Sequence, residues 1–188
     1  MLYIAHRINT IEELNSIPLE WGVEIDLRDH NDDIVLQHDP YISNTIKFED
    51  WLKHYNHSLI ILNIKSEGIE YKILELLKKY NITSYFFLDS SIPMIIKLLS
   101  KGETNIAIRY SEYEPVEFVD KFRGKCKWLW IDCFTKYPSI NKELKNGYNT
   151  CIVGPYLQGH VWDIKEEWKN VDAVCDKSYN YKNWLNNI

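Results

Sequence analysis

The chain has no surplus of positive charge. Its 22 Lys and Arg stand against 27 Asp and Glu, a formal charge of −5 over 188 residues. General nucleic-acid binding needs a basic surface to displace counterions, so the balance argues against a nucleic-acid partner. A pocket holding one phosphate is still compatible with it. No apolar run approaches the roughly 20 residues a spanning helix requires, so no stable membrane insertion is expected. The opening Met-Leu-Tyr-Ile-Ala-His-Arg lacks the basic start, long apolar core and cleavage site of a secretory signal. Cys126, Cys133, Cys151 and Cys175 form neither a Cys-x-x-Cys pair nor a zinc-finger spacing. Three of them lie in apolar strand-like runs and read as small buried residues. A reduced, cytoplasmic compartment is therefore expected. The turn after the first strand, Arg7-Ile8-Asn9-Thr10, has none of the glycines of a dinucleotide-binding loop.

What is present reads as a globular chain. Apolar residues make up 45% and charged residues 26%, with 7 Trp and 13 Tyr, which is far from a disordered composition. The length suits one domain over residues 1–188 with a substantial core; nothing in the pattern indicates an oligomeric state. Short runs of Ile, Val, Leu and aromatics alternate with amphipathic stretches, as in repeated βα units. Eight strands are predicted at 2–6, 23–27, 59–65, 84–89, 105–109, 128–132, 150–154 and 173–176. A short extra strand at 34–38 follows the second across a polar turn.

Helices are predicted between them at 10–17, 48–55, 69–80, 93–100, 115–122, 140–145, 161–169 and 179–187. The clearest is 69–80, where Ile69, Ile73, Leu76 and Leu77 make one apolar face. Pro93 and Pro115 fall at helix starts, and Gly102 and Gly147 at positions for left-handed caps. Eight parallel strands with helical crossovers predict an α/β fold, a compact (β/α)8 barrel of the TIM type.

The informative feature is what ends each strand. His6, His38, Lys65, Asp89, Arg109, Asp132 and Asp176 sit at strand ends, and Glu24, Asp26 and Asn63 near them. Side chains alternate faces, so Glu24 shares a face with Asp26, and Asn63 with Lys65. In a barrel the C-terminal strand ends converge on one mouth. Taken singly, each such residue can be a solvent contact or a cap; Asp89 before Ser90-Ser91-Ile92-Pro93 and Asp176 before Lys177-Ser178 are plausible caps. A pair of carboxylates within a run of strand formers is harder to dismiss, because its burial is costly without a cation. Carboxylate oxygens suit Mg²⁺ or Ca²⁺. His30, His54, His57 and His160 read as turn, helix-end or solvent-facing residues.

Together these residues resemble the glycerophosphodiester phosphodiesterase family, within the superfamily of barrel phosphodiesterases that includes phosphatidylinositol-specific phospholipases C. Ile4-Ala5-His6-Arg7 resembles its His-Arg-Gly opening. Val23-Glu24-Ile25-Asp26-Leu27-Arg28 resembles its Glu-x-Asp metal motif. Gln37-His38-Asp39-Pro40 resembles its second histidine in a His-Asp pair, and Asn63-Ile64-Lys65 falls where the family carries Glu-x-Lys. Ile8 stands in place of the motif glycine, Asn63 in place of the third acidic ligand, and the family's inserted subdomain after the second histidine is not evident.

The resemblance implies His6 and His38 as the acid/base pair, which the near-neutral pKa of histidine supports. It implies Glu24, Asp26 and Asn63 as ligands of a divalent Mg²⁺ or Ca²⁺, with affinity lowered by the uncharged Asn63. Arg7, Lys65 and Arg109 are candidates for binding phosphate, and Asp89, Asp132 and Asp176 are possible further mouth residues. The implied substrate is a small phosphodiester. Attack by a neighbouring hydroxyl would give a cyclic product and attack by water a monoester, and both remain open. So do two alternatives: a metal-independent phospholipase-like lyase and a non-catalytic phosphate-binding barrel.

Overall fold

The computed structural model describes residues 1–41, 44–136, 139–161 and 164–186. Its strands are β1 (Leu2–Ala5), β2 (Gly22–His30), β3 (Asp33–Leu36), β4 (Leu59–Ile64), β5 (Tyr85–Leu88), β6 (Ala107–Tyr110), β7 (Trp128–Ile131), β8 (Asn149–Val153) and β9 (Ala173–Asp176). Their order is β5-β4-β2-β1-β9-β8-β7-β6, with neighbours parallel; β3 pairs only with β2, antiparallel. The two ends of this series meet through a parallel bridge, Phe87↔Ile106, and a bond from Phe87 N to Asn105 O of 2.9 Å. Eight strands thus form a nearly closed α/β barrel, with β3 as a lateral extension.

The sequence pattern explains both cores. Along each barrel strand, alternate residues point inward. Ile4, Leu59, Ile61, Phe86, Leu88, Ala107, Trp130, Cys151, Val153, Ala173 and Cys175 fill the barrel interior. The intervening residues, among them Val23, Ile25, Leu27, Ile60, Leu62 and Val174, pack outward with helix residues such as Leu14, Trp51, Ile73 and Leu98. All four cysteines are buried and none is in a disulfide. Among the described residues, no helix is long and apolar enough to cross a membrane.

Helices are α1 (Ile11–Ser16), α2 (Phe48–Leu52), α3 (Glu70–Lys79), α4 (Ile92–Ser100), α5 (Val116–Val119), α6 (Lys142–Lys145) and α7 (Tyr181–Leu185). A capping box starts α1: the Thr10 side chain accepts from Glu13 N, and the Glu13 side chain accepts from Thr10 N. Gly102 and Gly147 have φ of 85° and 86° just past α4 and α6, the left-handed geometry glycine tolerates without strain. In the second half the expected helices are abbreviated. The stretch predicted at 115–122 is one α-turn followed by a 3-10 turn, Asp120–Phe122. The helix predicted at 161–169 is not formed as such. A 3-10 segment, Glu166–Asn170, carries the chain there, a second covers Pro155–Gln158, and residues 162 and 163 lie outside the described set. The helix predicted at 179–187 is a 3-10 turn at Ser178–Asn180 leading into α7; its last residue is also undescribed. These shortened crossovers explain how 188 residues accommodate eight barrel strands.

Candidate active site

The C-terminal strand ends enclose a cavity of about 220 Å³ lined by His6, Arg7, His38, Asn63, Lys65, Asp89, Arg109, Trp130, Asp132 and Gln158, among others. Parity places most of them. His6 continues the inward series of Ile4, Asn63 that of Ile61, and Asp132 that of Trp130. Glu24 and Asp26 lie on the inward face of β2 and are buried at 0% and 1% exposure. The β2/β4 register sets Asp26 beside Asn63.

Two residues reach the mouth by backbone geometry instead. Arg7 has φ of 59° and Asp89 φ of 61°, left-handed conformations uncommon outside glycine. Residues held this way cluster at functional sites, where the surrounding structure supports the strain. At Arg7 the support is visible: its N–H donates to Glu24 Oε2 at 2.7 Å. The expected capping role of Asp89 falls instead to Ser91, whose side chain accepts from Met94 N.

Glu24 and Asp26 are held by neutral and cationic donors. Asn63 Nδ2 donates to Glu24 Oε1 at 2.8 Å. Asn9 Nδ2 donates to Asp26 Oδ2 at 2.9 Å, and Asn9 Oδ1 accepts from Asp26 N at 2.9 Å. Arg7 Nε and Lys65 Nζ each lie 3.6 Å from an Asp26 oxygen. Burial, and then the proximity of Asp26, push the Glu24 carboxyl well above the usual carboxylate range, against the opposing pull of Asn63, Arg7 N and Lys65.

The two histidines differ. His6 is largely enclosed, with Nε2 3.8 Å from Glu24 Oε2. Burial first, then the charges of Lys177, Arg7, His38 and Lys65, lower its pKa to about 3, so its ring is neutral at neutral pH. His38 is more open, and its Nδ1 lies 2.7 Å from Asp39 Oδ1, which orients the ring and leaves Nε2 for another partner. The backbone beneath is pinned by Arg28, which donates to His38 O through Nε and Nη2 (3.2 and 2.8 Å) and to Lys65 O through Nη1 (2.9 Å).

On the opposite wall, Arg109 is gripped by carboxylates. Its guanidinium bonds to Asp132 and to Asp89, and its Nε lies 4.0 Å from Glu114. Asp132 also accepts from Trp130 Nε1 at 3.3 Å, Gln158 Nε2 at 2.9 Å and Cys133 N at 2.8 Å.

In its overall course the chain matches solved structures. It is similar in fold to a glycerophosphodiester phosphodiesterase of Agrobacterium tumefaciens. The TM-score is 0.63 with 11% identity, covering 94% of this chain and 97% of that one. A candidate glycerophosphoryl diester phosphodiesterase from the same organism aligns with a TM-score of 0.62 and 12% identity over 93% and 92% of the two chains. No protein-family model matches the sequence, and no curated protein matches it. At these identities the likeness establishes the barrel fold.

Of the residues singled out in the sequence, one lies apart. Asp176 follows Val174 on the outward face of β9, so its carboxylate turns away from the mouth. It accepts from Lys177 N (2.7 Å), Asn180 Nδ2 (3.1 Å) and Trp184 Nε1 (2.9 Å), anchoring α7. A Cβ on Gly154 would overlap it, 2.7 Å from the Asp176 Cβ, which is why glycine occupies that position. Asn9, Arg28 and Gln158 were not foreseen as site residues. Arg28 belongs to the Glu-x-Asp stretch, whereas Asn9 lies in a loop and Gln158 ends a 3-10 turn, and only the fold determines their paths.

Among the described residues no group of three His, Cys, Asp or Glu side chains is arranged to hold a metal. The oxygen donors present nevertheless fit a hard cation. Asp26 Oδ1 and Asn63 Oδ1 are both buried without a hydrogen-bond partner, on paired strands and next to the Glu24 carboxyl.

Proposed function

We propose that this chain is a phosphodiesterase acting on a glycerophosphodiester-like or other small phosphodiester. The observation that carries this reading is the single cavity shared by His6, His38, Arg7, Asn63 and Lys65, directly above the buried Glu24 and Asp26. The names of the structurally similar Agrobacterium proteins support the same chemistry.

In this reading Arg7 grips non-bridging phosphate oxygens through its planar fork and Lys65 as a point charge. An anion arriving beside Arg7 and Lys65 offsets part of the positive field on His6 and makes its ring a better proton acceptor. His6 and His38 then divide the work of taking a proton from the attacking oxygen and giving one to the departing alcohol. Asp39 keeps the His38 ring aligned throughout. Glu24, Asp26 and Asn63 would hold a divalent Mg²⁺ or Ca²⁺, which when bound would supply charge neutralisation at the phosphate.

A second reading has its own support. Arg7 and Lys65, each 3.6 Å from Asp26, already bring two positive charges to the floor of the cavity, as a metal-independent lyase would need. One experiment tests both. Defined glycerophosphodiesters are incubated with the protein plus Mg²⁺, Ca²⁺ or exhaustive chelation, and products are followed by phosphorus NMR. Metal-dependent turnover supports the first reading, and full turnover under chelation with a cyclic product supports the second. Absence of cleavage in every condition leaves the non-catalytic barrel.

A further inference from the structure

The barrel wall is open on one side. Whereas β6 pairs with β7 over four residues, β5 and β6 meet only at the Phe87↔Ile106 bridge. Past that bridge, toward the mouth, no pairing among the described residues joins Leu88 and Asp89 to Ala107, Ile108 and Arg109. The left-handed turn at Asp89, φ 61°, takes the chain out of the strand path there. A cavity of about 350 Å³ lies in the gap, under α4 and α5. Its lining comes from both layers of the fold. Leu88 and Ala107 belong to the barrel interior, Ile95 and Ile108 to the outer core, and Phe118 packs against that outer core. The cavity is therefore a slot through the wall. Leu88, Asp89 and Arg109 line both the slot and the mouth, and so form the partition between them.

The slot is apolar along its walls and polar at a few points. Its volume and its mostly apolar lining fall within the pattern of small-molecule sites, roughly 300–1,000 Å³ with a few placed polar groups. Ile92 lines it while 43% exposed, and Ile96 and Val116, on the same two helices, are exposed as well. The polar lining is Ser90, Asp89, Arg109 and Glu114. Arg109 is held by Asp89 and Asp132, and its Nε lies 4.0 Å from Glu114. Behind these residues Lys65 lies 3.6 Å from Asp89, and Ser90 Oγ donates to the buried Glu70 at 2.8 Å. Four carboxyls, those of Glu70, Asp89, Glu114 and Asp132, thus face two cations, Lys65 and Arg109. What these groups have left to offer a ligand is acceptor capacity, on the carboxylate oxygens and on Ser90 Oγ. A donor is accommodated there and an added anion is repelled.

We propose that this slot is a binding site, separate from the catalytic mouth, for a linear aliphatic chain carrying a hydrogen-bond-donating head, best an ammonium. At roughly 30 Å³ per heavy atom, the share of a water, a chain of about six carbons and its head needs about 200 Å³, so the slot admits it with room to adjust. The chain lies along Ile95, Ile108 and Phe118, and burial of its methylenes supplies most of the affinity. The head reaches Glu114 and Asp89 at the partition, where Arg109 keeps the carboxylates it already holds. No step of the phosphodiesterase reading is needed for this assignment, because the slot's walls and charges alone select the ligand.

The test titrates the full chain, labelled at its isoleucine methyls, with butylamine, hexylamine, hexanol and hexanoate and follows the methyl NMR signals. Hexylamine and hexanol should shift Ile92, Ile95 and Ile108, and hexylamine should bind about tenfold tighter than butylamine. Hexanoate, of the same length, should bind about tenfold or more weakly than hexylamine. Glu114→Gln should weaken hexylamine about threefold or more and leave hexanol within about twofold. Ala107→Leu fills the slot and should weaken both ligands about tenfold or more. Ile92→Ser acts at the exposed opening, where folding is not at stake, and should weaken both about threefold. Thermal melts confirm that the variants fold. Shifts confined to other isoleucines, hexanoate binding as tightly as hexylamine, or equal binding of butylamine and hexylamine overturns the proposal. Turnover of a glycerophosphodiester without these ligands bears on the phosphodiesterase reading alone, so either inference can fail while the other stands.

Discussion

The two walls of the mouth each set an arginine against aspartate and are in opposite states. On the wall formed by β5, β6 and β7, every charge has its partner: Arg109 is bound by Asp89 and Asp132, and Asp132 collects further donors from Trp130, Gln158 and Cys133 N. On the wall formed by β1, β2 and β4, His6 Nδ1, Arg7 Nε, Asp26 Oδ1 and Asn63 Oδ1 are buried without hydrogen-bond partners. A buried polar atom left unpaired costs about 1–3 kcal/mol, so the second wall is held in place at the expense of stability. The lesson is that polar residues at a barrel mouth are not equivalent. A satisfied network shapes the cavity, and an unsatisfied one is available to a ligand.

The contrast should be largest in turnover. His6→Ala and His38→Ala should each lower diester cleavage by about 10²–10⁴-fold without loss of fold, whereas Gln158→Leu on the satisfied wall should cost about tenfold or less. Equal losses from the two walls, measured as kcat/KM, would remove the distinction.

Stability should show the reverse order. Arg109→Met strands the buried Asp132 and its neighbour Asp89, and should destabilise by about 3–5 kcal/mol in urea unfolding. Arg7→Met removes a cation already lacking a hydrogen bond at Nε, and should cost about 1 kcal/mol or less. If Arg7→Met proved as damaging as Arg109→Met, the unsatisfied wall would be structural after all.

A smaller effect is expected from the support behind β8 and β9. Gly154→Ala forces a methyl group against Asp176 and should cost about 1–3 kcal/mol, seen as a lowered urea midpoint with turnover per folded molecule preserved.

The smallest expected effect carries a pH signature. Glu112 receives N–H donors from Phe134, Thr135 and Lys136 and the Thr135 hydroxyl, tying the loop after β7 to the loop after β6. Desolvation opposes ionisation there, but those donors outweigh it and hold the carboxyl down to about 2. A depressed acid stabilises the fold fully above its unfolded pKa and loses that contribution as pH falls through the folded value. Because solvent screens this largely open carboxylate, Glu112→Gln should cost about 1 kcal/mol or less near neutrality, with the gap to wild type narrowing from about pH 4.5 toward pH 2. A gap that did not change with pH would mean that the charge is irrelevant to the loop.

Much of the architecture was legible because its period is simple. Strand alternation placed Ile4, Ile61, Trp130 and Cys175 inward, and the same parity brought His6, Glu24, Asp26 and Asn63 to the mouth. The same parity puts Asp176, two residues beyond the outward Val174, on the outer face of β9 although it stands at a strand end. Helices in the second half were harder. Residues 161–169 carry apolar positions compatible with a helix, but the path around the barrel there is short and the chain takes a 3-10 course where it is described.

The sequence by itself determined the alternation of strands and helices, the barrel it implies, and the residue types gathered at the strand ends. Those follow from local periodicity and from the geometry of parallel strands. Tertiary structure alone decided which of those residues are paired. Arg109 and Arg7 are the same residue in similar strand-end settings. One is enclosed by Asp89 and Asp132 from neighbouring strands, and the other leans on Asp26 at 3.6 Å with an unpartnered Nε. Pairing depends on distances between residues remote in the chain, and on left-handed turns such as those at Arg7 and Asp89, where the packed surroundings override local preference.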